Sequence, residues 1–402
     1  MKKKSPSSTS LIAHGYSPPR GFSSVQPAVH KASTVVFANA AALRARTWKE
    51  KTGYTYGLHG TPTTFTLEER IATLEGGTET LLVPSGLAAI TVVNAALLRA
   101  GDEVLIPDNA YGPATELAKN ELARWGITHH FFDAMDPASL KAALSPATRL
   151  VWLEAPGSVT MEFPDLPALV HLVRERGADV IVALDNTWGA GLAFDPFALG
   201  AGSDAVGVDV SVQALTKYPS GGADVLMGSV TTRVAALHQR LKSTHMRMGW
   251  GISGNDAELV LRSLPSLPLR YEAQDRAGRT LAAWWSKRPE IVAVLHPALA
   301  GSPGHDHWAA LCSQAAGLFS VVFDSRFGTT QVDAFVDALK LFRIGYSWAG
   351  PASLVVPYDL AAMRARPSWP GTLVRFSLGL EEVDDLIADC KQALGALEPM
   401  SR

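Results

Sequence analysis

Cysteine is scarce in this chain, and long hydrophobic runs are missing. The two cysteines, Cys312 and Cys390, lie far apart and at neither a metal-ligand nor a redox spacing, so they indicate packing residues in a reducing, cytoplasmic setting. No stretch reaches the roughly 18 to 20 apolar residues that a membrane span requires. The basic start at 1–4 is followed by serine and proline instead of an apolar segment, which argues against a secretory signal.

The chain also lacks an excess of positive or negative charge. The 36 basic and 38 acidic residues leave a formal net charge of -2, which provides no global field for nucleic acid or an anionic membrane. The histidine clusters at 129–130 and 305–307 have no third ligand at a recognised spacing, so no metal is expected. What remains is a chain of 402 residues, 47% of them hydrophobic, which is enough for two packed domains.

The composition and the hydrophobic pattern of the sequence change twice along the chain. Residues 1–60 show little periodicity and are rich in Ser, Pro, Gly and Tyr, which predicts an extended arm that packs on something else. Between 61 and 255, short apolar runs alternate with helical patterns, as in a mainly parallel sheet covered on both faces. Residues 256–402 read as a smaller α+β domain. The predicted fold class is therefore α/β with a second, smaller domain.

Polar residues that directly follow apolar runs mark the carboxyl edge of such a sheet, where ligands bind. Asp185 ends one run, Lys217 follows another, and Ser85-Gly86 stand between a strand and a helix. A helix start suits a phosphate, although an N-cap at Ser85 explains the same motif, as a loop cap explains Asp185. A buried lysine is costly unless it is paired or chemically used. Together the three fit pyridoxal phosphate (PLP).

Further stretches, spread in order along the chain, make the resemblance specific. They are YGLHGTPT, LEGG, VPSGLAA, NAYGP, LEAPGSVTMEFPD, DNTWGAG, QALTKY, HPAL, GYSWAGPASL and VRFSLGLE. With them the chain resembles, over nearly its whole length, the Cys/Met-metabolism (transsulfuration) PLP enzymes, and most closely their bacterial β-lyase branch. This resemblance implies a PLP-dependent transferase-like fold of the aspartate aminotransferase type, with a mostly parallel seven-stranded sheet.

The same resemblance assigns the cofactor residues. Lys217 would hold PLP as a Schiff base and serve as the catalytic base. Asp185 would pair with the pyridinium nitrogen, and Tyr111 would stack on the ring and take part in catalysis. The phosphate would be bound by the backbone amides of Gly86 and Leu87, the hydroxyl of Thr216 and, from a neighbouring subunit, Tyr56. That last contact implies a homotetramer, a dimer of dimers.

On the substrate side, Arg375 would clamp the α-carboxylate, with Ser347 beside it and Trp348 as a pocket wall. The segment Tyr346-Ser347-Trp348 goes with β-lyases, so the implied reaction is carbon-sulfur β-elimination within methionine biosynthesis: L-cystathionine to L-homocysteine, pyruvate and ammonia. Three alternatives stay open: γ-lyase or γ-synthase chemistry, a cysteine desulfhydrase, and a non-catalytic PLP-binding regulatory protein.

The chain departs from the family pattern at three positions around the phosphate. Leu58, followed by His59, stands where many relatives have arginine, Ala214 where many have serine, and Gly222 where histidine is common. The phosphate is then either held more weakly, with His59 lending a conditional charge, or held equally well by a loop that packs differently.

Overall fold

The structure is a computed structural model that describes residues 8–13, 20–21, 23–51, 53–177, 179–200, 205–363, 369 and 371–397. The basic start at 1–4, and other parts of the predicted arm, lie outside these ranges. Within them, no helix combines the length and apolar character needed to cross a bilayer.

A mostly parallel sheet of seven strands forms the centre of the larger part of the molecule. Its strands are β1 (Glu79–Val83), β2 (Glu103–Pro107), β3 (Thr128–Phe132), β4 (Thr148–Glu154), β5 (Ile181–Asp185), β6 (Val210–Ala214) and β7 (Gly228–Thr232). They follow the order β1-β7-β6-β5-β4-β2-β3, and only β7 runs antiparallel to its neighbours. The predicted mostly parallel seven-stranded sheet is thus confirmed.

Helices cover both faces of this sheet. They are α3 (Pro62–Glu75), α4 (Gly86–Leu97), α5 (Gly112–Leu117), α6 (Pro137–Ala143), α7 (Leu166–Arg176), α8 (Ala235–Met248) and α9 (Gly254–Ser263), preceded in the arm by α1 (Ser8–Ile12) and α2 (Ala40–Arg44). One hydrophobic core contains α4, α5 and α8, and another contains α3, α6, α7 and α9. Because both faces are covered, every residue of β2 is buried, and such strands read as continuous apolar runs.

The start and end of α3 illustrate how the sequence sets the elements. Thr61 and Thr64 form a reciprocal capping box, and Pro62 occupies the first turn, where its missing N–H costs nothing. The helix ends at Gly76, whose φ of 80° lies in the left-handed region that favours glycine. The Gly pair of the LEGG stretch therefore ends the helix.

A second sheet of five strands lies in the C-terminal part. Its strands are β8 (Ile291–Leu295), β9 (Leu318–Phe323), β10 (Arg343–Ile344), β11 (Leu354–Tyr358) and β12 (Leu373–Ser377), in the order β10-β11-β12-β9-β8. All neighbours are antiparallel except β10 and β11. The accompanying helices are α10 (Leu267–Trp285), α11 (His305–Leu311), α12 (Thr329–Ala338), α13 (Leu360–Met363) and α14 (Val383–Ala393).

The two sheets share part of their hydrophobic core. The core under α3 and α7 continues into Leu295 and Leu318 of the second sheet, while a separate core surrounds Trp285 and Phe376. Cys312 and Cys390 are both buried and form no disulfide. The domain boundaries at 60 and 255 stay a prediction.

Candidate active site

The polar residues expected at the carboxyl edge of the large sheet lie side by side there. Val83 of β1 and Ala214 of β6 both face Gly228 of β7, so the two strands end at the same level. Asp185 is the last residue of β5, which runs parallel to β6. A Cβ built on Gly86 would lie 2.6 Å from the Cβ of Ala214, so the start of α4 touches the end of β6.

The start of α4 contains both an N-cap at Ser85 and free backbone amides that suit a phosphate. Ser85 caps the helix, since its hydroxyl accepts a hydrogen bond from the Ala88 amide at 3.1 Å. The amides of Gly86 and Leu87 have no acceptor among the described residues, as is usual for the first turn of a helix. Two free donors at the positive end of a 12-residue helix form a site for an anion.

Lys217 lies three residues beyond β6, with its amine turned toward the C-terminal part of the chain. Its Nζ donates to Ser347 Oγ at 2.7 Å and lies 5.5 Å from the ring centroid of Trp348. Burial, and then the positive charge of Arg375, lower the pKa of Lys217 to about 8, against the opposing effect of Asp185. A far larger fraction of this amine is neutral near physiological pH than in an ordinary lysine.

Asp185, at the end of β5, adds a carboxylate to the site. Its oxygen accepts a hydrogen bond from the Thr187 amide at 3.0 Å. Burial raises the pKa of Asp185, while the bonds from Thr187 and the charge of Lys217 act in the opposite direction. In the sheet register Asp185 lies opposite Glu154, the last residue of β4.

Glu154 is a site residue that the sequence analysis missed. Its carboxylate accepts a hydrogen bond from the backbone amide of Tyr111 at 2.8 Å and so fixes the N-cap residue that precedes α5. Burial, followed by the nearby charges of Asp185 and Glu154, raises the pKa of Tyr111, which keeps its phenol protonated. A signal was present, because Glu154 follows an apolar strand just as Asp185 does.

Arg375 of β12 brings the second sheet into the site. The residue is only 7% exposed, and its Nη2 donates to the carbonyl of Ser347 at 3.4 Å. Ser347 has a φ of 92°, a left-handed conformation that serine rarely adopts. This conformation turns the Ser347 hydroxyl toward Lys217 and its carbonyl toward Arg375, so local backbone strain coincides with the predicted substrate pocket.

Two of the predicted phosphate ligands have other contacts within the chain. The hydroxyl of Thr216 donates to the Met227 carbonyl at 3.2 Å and accepts from the Met227 amide at 3.1 Å. Tyr56 is 46% exposed and forms an isolated backbone bridge with Thr34. Its contact with the phosphate of another subunit stays a prediction.

The loop that contains Leu58 and His59, where the chain departs from the family pattern, packs against residues of its own chain. His59 stacks on Trp48 with 5.3 Å between ring centroids, and its Nδ1 is hydrogen-bonded to the Thr55 hydroxyl at 2.7 Å. Burial, then the charges of Lys242 and Arg46, lower the pKa of His59. These contacts favour the repacked loop over a charged His59 that reaches the phosphate.

The chain matches a known family over residues 8–395, that of the Cys/Met metabolism PLP-dependent enzymes. The chain belongs to this family. A curated relative, cystathionine beta-lyase of Bordetella avium, is 40% identical over 387 residues, with 94% of each chain covered. Another, the cystathionine beta-lyase of Escherichia coli K12, is 35% identical, with 95% of this chain and 96% of the relative covered. The crystal structure of cystathionine gamma synthase from Xanthomonas oryzae pv. oryzae, in complex with aminoacrylate and cysteine, matches with a TM-score of 0.86 and 28% identity over 97% of this chain and 98% of that one.

As a Cys/Met-metabolism enzyme, the protein uses PLP as its cofactor. The donor set found here fits that molecule: two free amides at a helix start for the phosphate, the Asp185 carboxylate for the ring nitrogen, and a lysine of lowered pKa for the aldehyde. Among the described residues, no cluster of three His, Cys, Asp or Glu side chains could hold a metal ion.

Proposed function

We propose that this enzyme is a carbon-sulfur β-lyase that cleaves L-cystathionine, with water, to L-homocysteine, pyruvate and ammonia. The observation that carries the proposal is the contact of Lys217 with the Tyr346–Trp348 segment, through the Ser347 hydroxyl and the Trp348 ring. The two curated relatives described above, which match nearly the whole chain, are named for this reaction.

In this proposal each cofactor contact has a separate task. Lys217 holds PLP covalently through its amine, Asp185 pairs with the ring nitrogen, and Tyr111 stacks on the ring. The amides of Gly86 and Leu87 bind the phosphate, joined by Thr216 once its hydroxyl leaves Met227. When bound, PLP stabilises negative charge at the substrate α-carbon.

The substrate contacts orient the bond that breaks. Arg375 binds the α-carboxylate as a two-pronged donor, Ser347 assists it, and Trp348 closes the pocket wall. With a pKa of about 8, the amine of Lys217 can take the α-proton and later return one, since efficient bases have a pKa near the working pH. Tyr111, with its raised pKa, stays a neutral hydrogen-bond donor.

The products distinguish this proposal from γ chemistry. Purified protein incubated with L-cystathionine is expected to release pyruvate and homocysteine, measured by chromatography, whereas a γ-lyase releases 2-oxobutyrate and cysteine. Lys217→Ala should release neither pair, because holding the cofactor and moving the proton are both lost. Lys119→Ala, which removes a surface lysine paired with Glu116, is the matched control and should equal wild type. A main product of 2-oxobutyrate would refute the β-lyase assignment.

We further propose that the enzyme acts in the cytoplasm as a homotetramer built from two dimers, in which Tyr56 of one subunit reaches the phosphate bound by its neighbour. Two features support this arrangement. Tyr56 is 46% exposed and so accessible to a neighbouring subunit, and the buried Cys312 and Cys390 form no disulfide, as expected in a reducing compartment.

A further inference from the structure

Among the described residues, the buried guanidinium of Arg375 has no carboxylate partner. The groups that act most on its charge are the phenols of Tyr358, Tyr111 and Tyr346, and no acid is among them. Its one hydrogen bond to the described residues goes to the Ser347 carbonyl. Because a buried cation without a partner is costly, another contact must help to hold the side chain in place.

That contact is the ring of Tyr358. The guanidinium carbon lies 5.3 Å from the ring centroid. In the antiparallel pair of β11 and β12, Val356 lies opposite Arg375, and Tyr358, two residues further along β11, points to the same face. A ring face attracts a cation through its quadrupole and takes up none of the five N–H donors of the guanidinium.

We propose that Tyr358 is a positioning residue whose ring face holds the guanidinium of Arg375 ready for the substrate α-carboxylate. The inference rests on the proposed role of Arg375 as the carboxylate clamp. An acid at the position of Tyr358 would also hold the arginine, but it would neutralise the charge and occupy the fork that the substrate needs. The ring is therefore essential in this role and the hydroxyl is not.

The test compares Tyr358→Phe with Tyr358→Leu in the holoenzyme. The probes are L-alanine and L-alaninamide, which differ in the carboxylate alone, and binding is read from the visible absorbance of the bound cofactor. Leucine should weaken L-alanine binding about five- to tenfold, because the cation–π contact is lost. Phenylalanine should stay within about twofold of wild type, because the ring remains. Binding of L-alaninamide should be the same in all three proteins.

A second measurement separates positioning from a loss of stability. With cystathionine, Tyr358→Leu should raise KM while kcat is retained. Val355→Ala is the control, because its side chain leaves the opposite face of β11 and lies in the C-terminal core. That variant should unfold more easily and still bind L-alanine as wild type does.

Three outcomes would overturn the role of Tyr358: wild-type L-alanine binding by the leucine variant, equal weakening of L-alaninamide, or equal weakening by phenylalanine. Arg375→Leu tests the underlying assignment, since it should abolish the preference for L-alanine over L-alaninamide. If that preference survived, the clamp itself would be refuted. Neither binding result depends on which product the enzyme releases from cystathionine.

Discussion

Lys217 accepts a proton less readily than an ordinary lysine because it is buried and faces Arg375. Those two effects lower its pKa to about 8, and Asp185 only partly offsets them. Besides its proposed role as a substrate clamp, the guanidinium of Arg375 thus helps to keep the neighbouring amine neutral. A neutral amine is the form that attacks the aldehyde of the cofactor and the form that removes a proton.

The pH dependence of cofactor capture tests this pKa. In protein stripped of PLP, the amine is protonated below its pKa and neutral above it, so the capture rate should rise with pH, with its midpoint near pH 8. Asp185→Asn should move the midpoint lower, because the carboxylate of Asp185 raises the pKa of Lys217. Stopped-flow absorbance across a pH series measures both. A midpoint near the ordinary lysine value would contradict the assignment.

At the scale of the elements, the proposed phosphate site depends on how closely α4 approaches the sheet. Gly86 touches Ala214 of β6, and a Cβ on Gly228 of β7 would overlap the carbonyl of Ser85. The helix start therefore lies against two strand ends with no room for another carbon. This tight contact fixes the direction of the free amides of Gly86 and Leu87 relative to Lys217.

Gly86→Ala is expected to push α4 away from β6. The added carbon would lie 2.6 Å from the Ala214 Cβ, and such overpacking costs about 1–3 kcal/mol. Cofactor retention, measured by dialysis and back-titration, and the midpoint of thermal unfolding should both fall. Adding Ala214→Gly removes the clashing carbon and should restore part of each loss, while Ala214→Gly alone is the control. Wild-type retention in Gly86→Ala would show that the helix start can shift without penalty.

A polar buried face explains why some helices escaped the sequence analysis. The alternation of apolar runs and helical patterns located β1 to β7. Helix α8 was not predicted, because its buried face includes His238, Lys242 and His245, so it lacks an apolar stripe. Gln274 and Asp275 likewise lie on the buried side of the first half of α10 and interrupt its apolar stripe.

Some residues of the site can also be located from the sequence, and others cannot. Asp185, Lys217 and the Ser85-Gly86 turn can be located from the rule that polar residues after parallel strands meet at one edge. Glu154 obeys that rule and was overlooked. No rule applied to the sequence finds Tyr358, because its contact with Arg375 depends on the register of two antiparallel strands. Register follows from side-chain packing across the sheet, which a local pattern does not encode.

At the scale of the whole molecule, the arm leaves apolar side chains in solvent. Val25 and Val36 are each 90% exposed, and Tyr54 and Tyr56 are nearly half exposed. Apolar groups collected on one segment suit burial against another copy of the chain. The proposed tetramer would cover them and bring Tyr56 to a second active site.

Shared active sites can be tested by mixing two defective proteins. Tyr56→Ala should lose the phosphate contact that it provides to its neighbour, and Lys217→Ala should lose the amine of its own site. In a mixed dimer, the Tyr56→Ala subunit keeps Lys217 and receives an intact Tyr56, so one site of the two is complete. Co-expression in equal amounts should restore about a quarter of wild-type activity, since half of the dimers are mixed.

Lys217→Ala co-expressed with Asp185→Asn is the matched control: both residues belong to the site of their own chain, so no mixed dimer has a complete site. If mass measurement showed mixed oligomers and the first pair stayed as inactive as the control, Tyr56 would serve its own subunit or none.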